Sequence, residues 1–149
     1  MFRKIANKIE AEQDIIYNKD LIPDIVSPTF LSDAVCFSSC KLAGDVDAKA
    51  IVGMTRSGYT AFLISSTRPK AKVYVFTDNP RLLTMMSLVW GVMGFYYNKM
   101  VSTDDTIFDV HEILKANNLI ETGDIVINLA SMPIHRQSRT NMVKLTKIT

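Results

Sequence analysis

The stretch Ala50-Ile-Val-Gly-Met-Thr-Arg-Ser-Gly-Tyr-Thr60 restricts the folds open to this chain more than any other. Ala50 to Met54 is a short uninterrupted apolar run, as expected of a strand buried on both faces. Thr55, Arg56, Ser57 and Gly58 then make a tight polar turn. From Tyr59 an apolar helix follows through Ala61-Phe-Leu-Ile64 and runs out before Arg68-Pro69. A strand that turns through hydroxyls and a glycine into a helix is how α/β proteins present backbone N–H groups to an anion. The hydroxyls of Thr55, Ser57 and Thr60, the charge of Arg56 and the positive end of the helix converge there. A purely architectural reading stands beside this one, with Ser57 capping the helix and Gly58 relieving the turn.

The rest of the chain alternates in the same way. Phe2 to Ile15 places Ile5, Ile9 and Ala6 on one face of an amphipathic helix. Tyr17 to Ser27 is an irregular connection, and Ser27-Pro28 opens a helix to about Leu42 with Phe30, Leu31, Ala34, Val35 and Ala43 inward. Gly44 and Asp45 mark its end or an exposed flaw near it. Lys72 to Thr77 is a second strand, and Asp78-Asn79-Pro80 caps a helix over Arg81 to Leu88. Gly91 to Tyr97 gives a third strand. Ser102-Thr-Asp-Asp105 starts a helix with Phe108, Val110, Ile113 and Leu114 facing in. The turn Glu121-Thr-Gly-Asp124 precedes a fourth strand, Ile125 to Ala130. After the loop Ser131 to Arg139 a last strand, Asn141 to Ile148, alternates as an edge strand does.

Strands separated by helices imply a mostly parallel sheet covered on both faces: an α/β, three-layer α/β/α fold. The final pair has no helix between its members, so the fifth strand runs antiparallel to the fourth. In such sheets ligands sit beyond the carboxyl ends of the strands, where the strand order reverses. The Thr55 to Gly58 turn lies at such an end.

Composition narrows the function classes. The chain has 149 residues, 48% of them hydrophobic, which is enough for a single domain spanning 1–149 with a real core. A net charge of +2 argues against a nucleic-acid surface. Cys36 and Cys40, four apart on one helix face, read as core thiols of a cytoplasmic protein rather than as a disulfide or metal framework. Met1-Phe-Arg-Lys-Ile5 lacks the apolar region of a secretory signal. Leu88 to Tyr97 is too short to span a bilayer, so no membrane role is expected.

No catalytic constellation is legible in the sequence. His111 lies on a helix beside Glu112 and reads as a packing or surface residue, and His135 as a solvated loop residue. Asp104 and Asp105 suit a helix start, and Asp124 a turn. There is no lysine-containing phosphate loop, no metal-ligand cluster and no nucleophile elbow, since Arg56-Ser57-Gly58 lacks the first glycine an elbow needs. Arg136 and Arg139 are the remaining basic residues placed to meet an anion, in the loop before the last strand.

In order and spacing, Glu10-Ala-Glu12, Ala50 to Ala61, Ser66-Thr-Arg-Pro69, Val73-Tyr-Val-Phe-Thr77, Leu88-Val-Trp-Gly-Val92, Thr122-Gly-Asp124 and Thr140-Asn141 resemble the C-terminal domain of pyruvate kinase over nearly the whole chain. The resemblance implies a five-stranded sheet with one strand opposed to the others. It also implies that residues 1–15 form the helix leaving a catalytic barrel. That barrel would carry the transfer of a phosphoryl group from phosphoenolpyruvate to ADP, with Mg²⁺ and K⁺. No cofactor is expected here, and this polypeptide alone is expected to be inactive. The implied partners are the barrel, sister subunits in a homotetramer, and a phosphorylated effector held at Thr55, Arg56, Ser57, Gly58 and Thr60, with Arg136 or Arg139 as a second contact. The family's fructose 1,6-bisphosphate site carries an arginine that falls here at Asn117, and its glycine-rich closing loop falls at Ile134-His-Arg-Gln-Ser-Arg139. Those departures leave a one-phosphate ligand, an inorganic anion or no effector as open alternatives. A free-standing module that binds a small anion or a partner is the competing class.

Overall fold

The computed structural model describes residues 2–12, 21–99, 102–133 and 138–149. The elements are helix α1 (Phe2–Ala11), helix α2 (Phe30–Asp45), strand β1 (Ala50–Met54), helix α3 (Tyr59–Thr67), strand β2 (Lys72–Thr77), helix α4 (Pro80–Met86), strand β3 (Val92–Tyr96), helix α5 (Thr103–Ala116), strand β4 (Ile125–Ala130) and strand β5 (Met142–Lys147). The sheet has five strands in the order β3-β2-β1-β4-β5. β1 pairs in parallel with β2 and β4, and β2 with β3, while β4 and β5 are antiparallel. The expected α/β fold with one opposed strand is the observed one.

The apolar runs become central strands because both faces are covered. Ala50, Ile51 and Val52 are all buried, Ile51 against α2, α3 and α4, and Ala50 and Val52 against α5. On one face Cys36 and Cys40 of α2, Ile64 of α3 and Leu82 and Met86 of α4 close over Val73, Val75, Ile127 and Leu129. On the other, Ile107, Val110 and Leu114 of α5 close over Tyr74, Phe76 and Val126. Phe76 stacks on Phe95 with ring centroids 5.1 Å apart. Strand order reverses at β1, whose neighbours are reached by crossovers on opposite faces, so a crevice opens between the carboxyl ends of β1 and β4.

Several helix details differ from the sequence reading. α2 begins at Phe30 and continues to Asp45, so Gly44 lies within its last turn, exposed. Ser27 does not cap it; its hydroxyl accepts from the Thr29 amide at 3.2 Å. Leu31 and Phe108, expected inward, are exposed. The buried face of α2 is Ser32, Asp33, Cys36, Ser39, Cys40 and Ala43, small or self-satisfied residues that let it lie close to α3. Ser39 Oγ, for example, donates to the Cys36 carbonyl at 2.6 Å. In α5 the inner stripe is Thr106, Ile107, Val110, His111 and Leu114, which turns Phe108 to solvent. α1 is helical as expected, though residues 13–15 of its expected span lie outside the described residues. None of its residues is buried, and Phe2, Ile5 and Ile9 are exposed apolar side chains.

Candidate functional site

The turn after β1 is shaped by one backbone conformation. Gly58 takes φ +83°, in the left-handed region, and stands as the N-cap of α3. Its amide donates to Thr55 Oγ1 at 3.0 Å, and the Tyr59 amide to Ser57 Oγ at 3.4 Å. Ser57 thus bonds one residue into the helix without occupying the cap position. The first intrahelical bond runs from the Phe62 amide to the Gly58 carbonyl at 3.0 Å. The amides of Arg56, Ser57, Thr60 and Ala61 have no hydrogen-bond partner among the described residues. Thr60 and Ala61 are the donors that this helix start leaves over.

A cavity of about 680 Å³ opens over this turn. The turn and α3 contribute Thr55, Arg56, Ser57, Tyr59, Thr60 and Phe62 to its wall. The start of α2 adds Thr29 and Ser32, and the loop between β4 and β5 adds Ser131, Ser138, Arg139 and Thr140. Four of the five residues expected to hold an anion therefore line one cavity, and Gly58 is buried beneath it. Arg139, expected as a second contact, lines it as well; Arg136, the alternative, lies outside the described residues.

Two long-range hydrogen bonds pin the walls together. Thr60 Oγ1 and Thr140 Oγ1 lie 2.7 Å apart in a buried contact that ties α3 to the start of β5. Tyr59 Oη donates to Asp33 Oδ1 at 2.8 Å, tying α3 to α2. Asp33 is buried and also accepts from Thr29 Oγ1 at 2.6 Å. Asp33 is not among the site residues expected from the sequence. Its one local signal is the Thr29/Asp33 spacing of one helical turn. A second omission is Asp78, whose carboxylate lies 3.5 Å from Arg56 Nε, with both side chains about 40% exposed (43% and 36%). Arg56 therefore faces the cavity with a competing carboxylate at its back.

Elsewhere three titratable groups are buried in the packed interior. Cys36 is fully buried, and burial first, then Cys40 and Asp33, pushes its thiol up to about 12. Burial likewise raises the Cys40 thiol. His111 is buried, its Nε2 2.8 Å from Asn128 Oδ1, and burial lowers its pKa below the ordinary value. Asn128 Nδ2 in turn donates to the Lys144 carbonyl at 3.2 Å, so the pair locks α5 onto β4 and β5. Among the described residues no group of three His, Cys, Asp or Glu side chains could hold a metal ion. The acids beside the cavity are already taken, Asp33 by hydroxyls and Asp78 by Arg56, so Mg²⁺ does not fit there. No described helix is long and apolar enough to cross a membrane.

A doubly wound sheet with a cavity at its switch point places the chain among the α/β domains. Residues 33–146 match the family model for the pyruvate kinase alpha/beta domain. The chain belongs to that family. It is 34% identical over 144 residues to a pyruvate kinase of Clostridium acetobutylicum, covering 95% of this chain and 30% of that one. It is 31% identical over 149 residues to a pyruvate kinase of Clostridium perfringens, covering 97% of this chain and 31% of the relative. A crystal structure of a pyruvate kinase from Cryptosporidium parvum superposes with a TM-score of 0.74 at 27% identity, over 85% of this chain and 24% of that one. The chain thus spans about a third of the length of the curated relatives it matches.

Proposed function

We propose that this chain is the regulatory and subunit-pairing part of a pyruvate kinase, and that its cavity receives the phosphate of a small phosphorylated effector. The observation that carries this reading is the cavity itself. Arg56, Arg139 and the hydroxyl residues Thr55, Ser57 and Ser138 surround one volume at the end of β1, beside helix-start amides that have no partner among the described residues. Anions favour such a place because donors and dipole are already oriented. On this reading phosphoryl transfer from phosphoenolpyruvate to ADP, with its Mg²⁺ and K⁺, belongs to polypeptide outside these 149 residues, and this chain turns over nothing by itself. The apolar stripe Phe2, Ile5 and Ile9 of α1 packs on that catalytic barrel, and other exposed apolar side chains pair sister subunits into a tetramer. The buried free thiols suit work in the cytoplasm.

Calorimetry with inorganic phosphate and with fructose 1,6-bisphosphate tests the anion reading. Arg56→Glu should weaken phosphate by at least tenfold, since a charge-assisted hydrogen bond contributes about 1.5–3 kcal/mol. Equal binding by both proteins would remove Arg56 from the role. A coupled assay that detects pyruvate formation by the isolated chain would overturn the division of labour. Sedimentation finding only monomer at high concentration would count against pairing through this chain.

A further inference from the structure

We propose that His111 is the trigger of a pH-sensitive latch, which fixes the edge strand β5 to the rest of the fold at neutral pH and releases it in mild acid. The inference stands apart from the cavity and from the anion reading. His111 is buried on the inner stripe of α5, beside Val110 and Leu114. Facing it on β4 is Asn128, fully buried in a strand whose other residues are all apolar.

The direction of each bond in this group is fixed. Asn128 Nδ2 donates to the Lys144 carbonyl at 3.2 Å and to Thr146 Oγ1 at 3.1 Å. Its Oδ1 is therefore turned to His111 and can only accept, so His111 Nε2 carries the proton across 2.8 Å. The neutral imidazole completes a chain from α5 through β4 to β5. A second proton can enter only at Nδ1, and it makes the ring a cation. The charges that face it are Lys115 and Glu112 on its own helix and Lys144 on β5, itself held by Asp104 at 2.7 Å; β4 offers none. Burial, with the two lysines, opposes the cation more than Asn128 and Glu112 favour it.

β5 is the element this opposition can release. As an edge it bonds to β4 alone, and Lys144, Leu145 and Lys147 are exposed. Its neighbourhood is also tied to α5 by Lys144 with Asp104, and by Lys115 with the Thr149 carbonyl at 2.8 Å. Those bonds lie at the surface, where water and salt compete. The bonds through Asn128 are the buried share of the attachment. Hydrating a charged His111 requires α5 and β5 to part, because the ring lies between helix and sheet. In the parted state the imidazole regains its ordinary value of 6.5 and binds more protons than in the closed one. The parted population therefore rises by up to about tenfold between pH 7.5 and 5.5.

Native-state hydrogen exchange, read residue by residue by NMR on the 149-residue chain, tests the latch. Protection factors, which remove the pH dependence of exchange itself, should be lower for β5 than for β1 and β2. From pH 7.5 to 5.5 they should fall for β5 by up to about tenfold. Low urea should leave the β5 values unchanged, since a local opening exposes little surface. His111→Gln should hold them level over the same pH range, and a melting curve reports whether that variant folds. A further measurement needs no variant: the His111 imidazole resonance should titrate below pH 6.5, with the β5 decline between the two values. Four results would each overturn the latch. They are β5 protection that is flat with pH, β5 protection that matches β1 and β2 in size and urea dependence, an equal fall in His111→Gln, and titration of His111 at or above pH 6.5.

Discussion

Gly58→Ala is the sharpest test of how the turn is built. Two separate costs fall on this position. The backbone sits at φ +83°, where an L side chain costs about 1–2 kcal/mol. The added methyl would also stand 2.5 Å from Leu82 Cδ1 and 3.4 Å from Met86 Cε, inside the core between α3 and α4. Leu82 is buried, so its side chain or α4 must shift within the packed core, at a cost of about 1–3 kcal/mol. The sum is about 2–5 kcal/mol, or a melting temperature lower by on the order of 10 °C. Two other glycines separate the terms. Gly123 has φ +99° with nothing within 4 Å of an added Cβ, so Gly123→Ala should lose only the backbone part, about 1–2 kcal/mol. Gly44 sits in the last turn of α2 with open space around it, so Gly44→Ala should gain about 0.5–1 kcal/mol. Urea unfolding followed by circular dichroism measures all three. The reasoning is refuted if Gly58→Ala is no less stable than Gly123→Ala, for then the close approach to Leu82 does not govern the turn.

The remaining expectations concern charge and thiols. Burial holds the His111 pKa below 6.5, so the folded chain binds fewer protons than the unfolded one. The stability this contributes is present above that value and is lost as pH falls through the lowered one. His111→Gln should flatten the fall in urea midpoint between pH 7.5 and 5.5, and an unchanged fall would place its cause elsewhere. With thiols pushed up by burial, Cys36 and Cys40 should resist a thiol-labelling reagent at pH 8 in the native chain and react at once in urea. Rapid native labelling, read by mass spectrometry, would contradict their burial. Asp78→Asn should free Arg56 and tighten phosphate a few-fold at low salt, the gain fading above about 0.5 M salt as screening sets in. Stability should change by less than about 1 kcal/mol, because the pair is half exposed. Weaker phosphate binding in this variant at low salt would mean that Asp78 orients Arg56 rather than competing for it.

The strands were legible because burial on both faces demands unbroken apolar runs such as Ile51-Val52 and Val73 to Phe76, a demand each strand states locally. The opposed fifth strand followed from connectivity, since no helix separates β4 from β5. The inner face of α2 was not legible. Ser32, Asp33 and Ser39 are buried although polar, and nothing local distinguishes them from solvated residues. What makes them tolerable is bonding to their own turn or to Tyr59, 26 positions on from Asp33. Periodicity accordingly assigned Leu31 and Phe108 to the core, whereas packing turned both outward. The site divided in the same way. Thr55 to Thr60 could be read because the chemistry is contiguous in the chain. Asp33, Asp78 and Thr140 join it only through the fold.

That division has a consequence for how a ligand would act. The cavity belongs to no single element: its walls come from the start of α2, the turn into α3 and the loop before β5. Thr60–Thr140 and Tyr59–Asp33 hold these three together, and each bond joins segments far apart in sequence. A molecule seated against all three walls favours only conformations in which both bonds are made, so it stabilises the closed arrangement by its own binding free energy. Among its described residues the β4–β5 loop is held by the side chain of Asn141, which bonds Met132 in both directions, and by Thr60. A bound ligand would therefore act first along β5, an edge of the sheet, through this loop. An edge strand carries unpaired backbone groups. Small changes in its order would alter what it can offer a neighbouring chain.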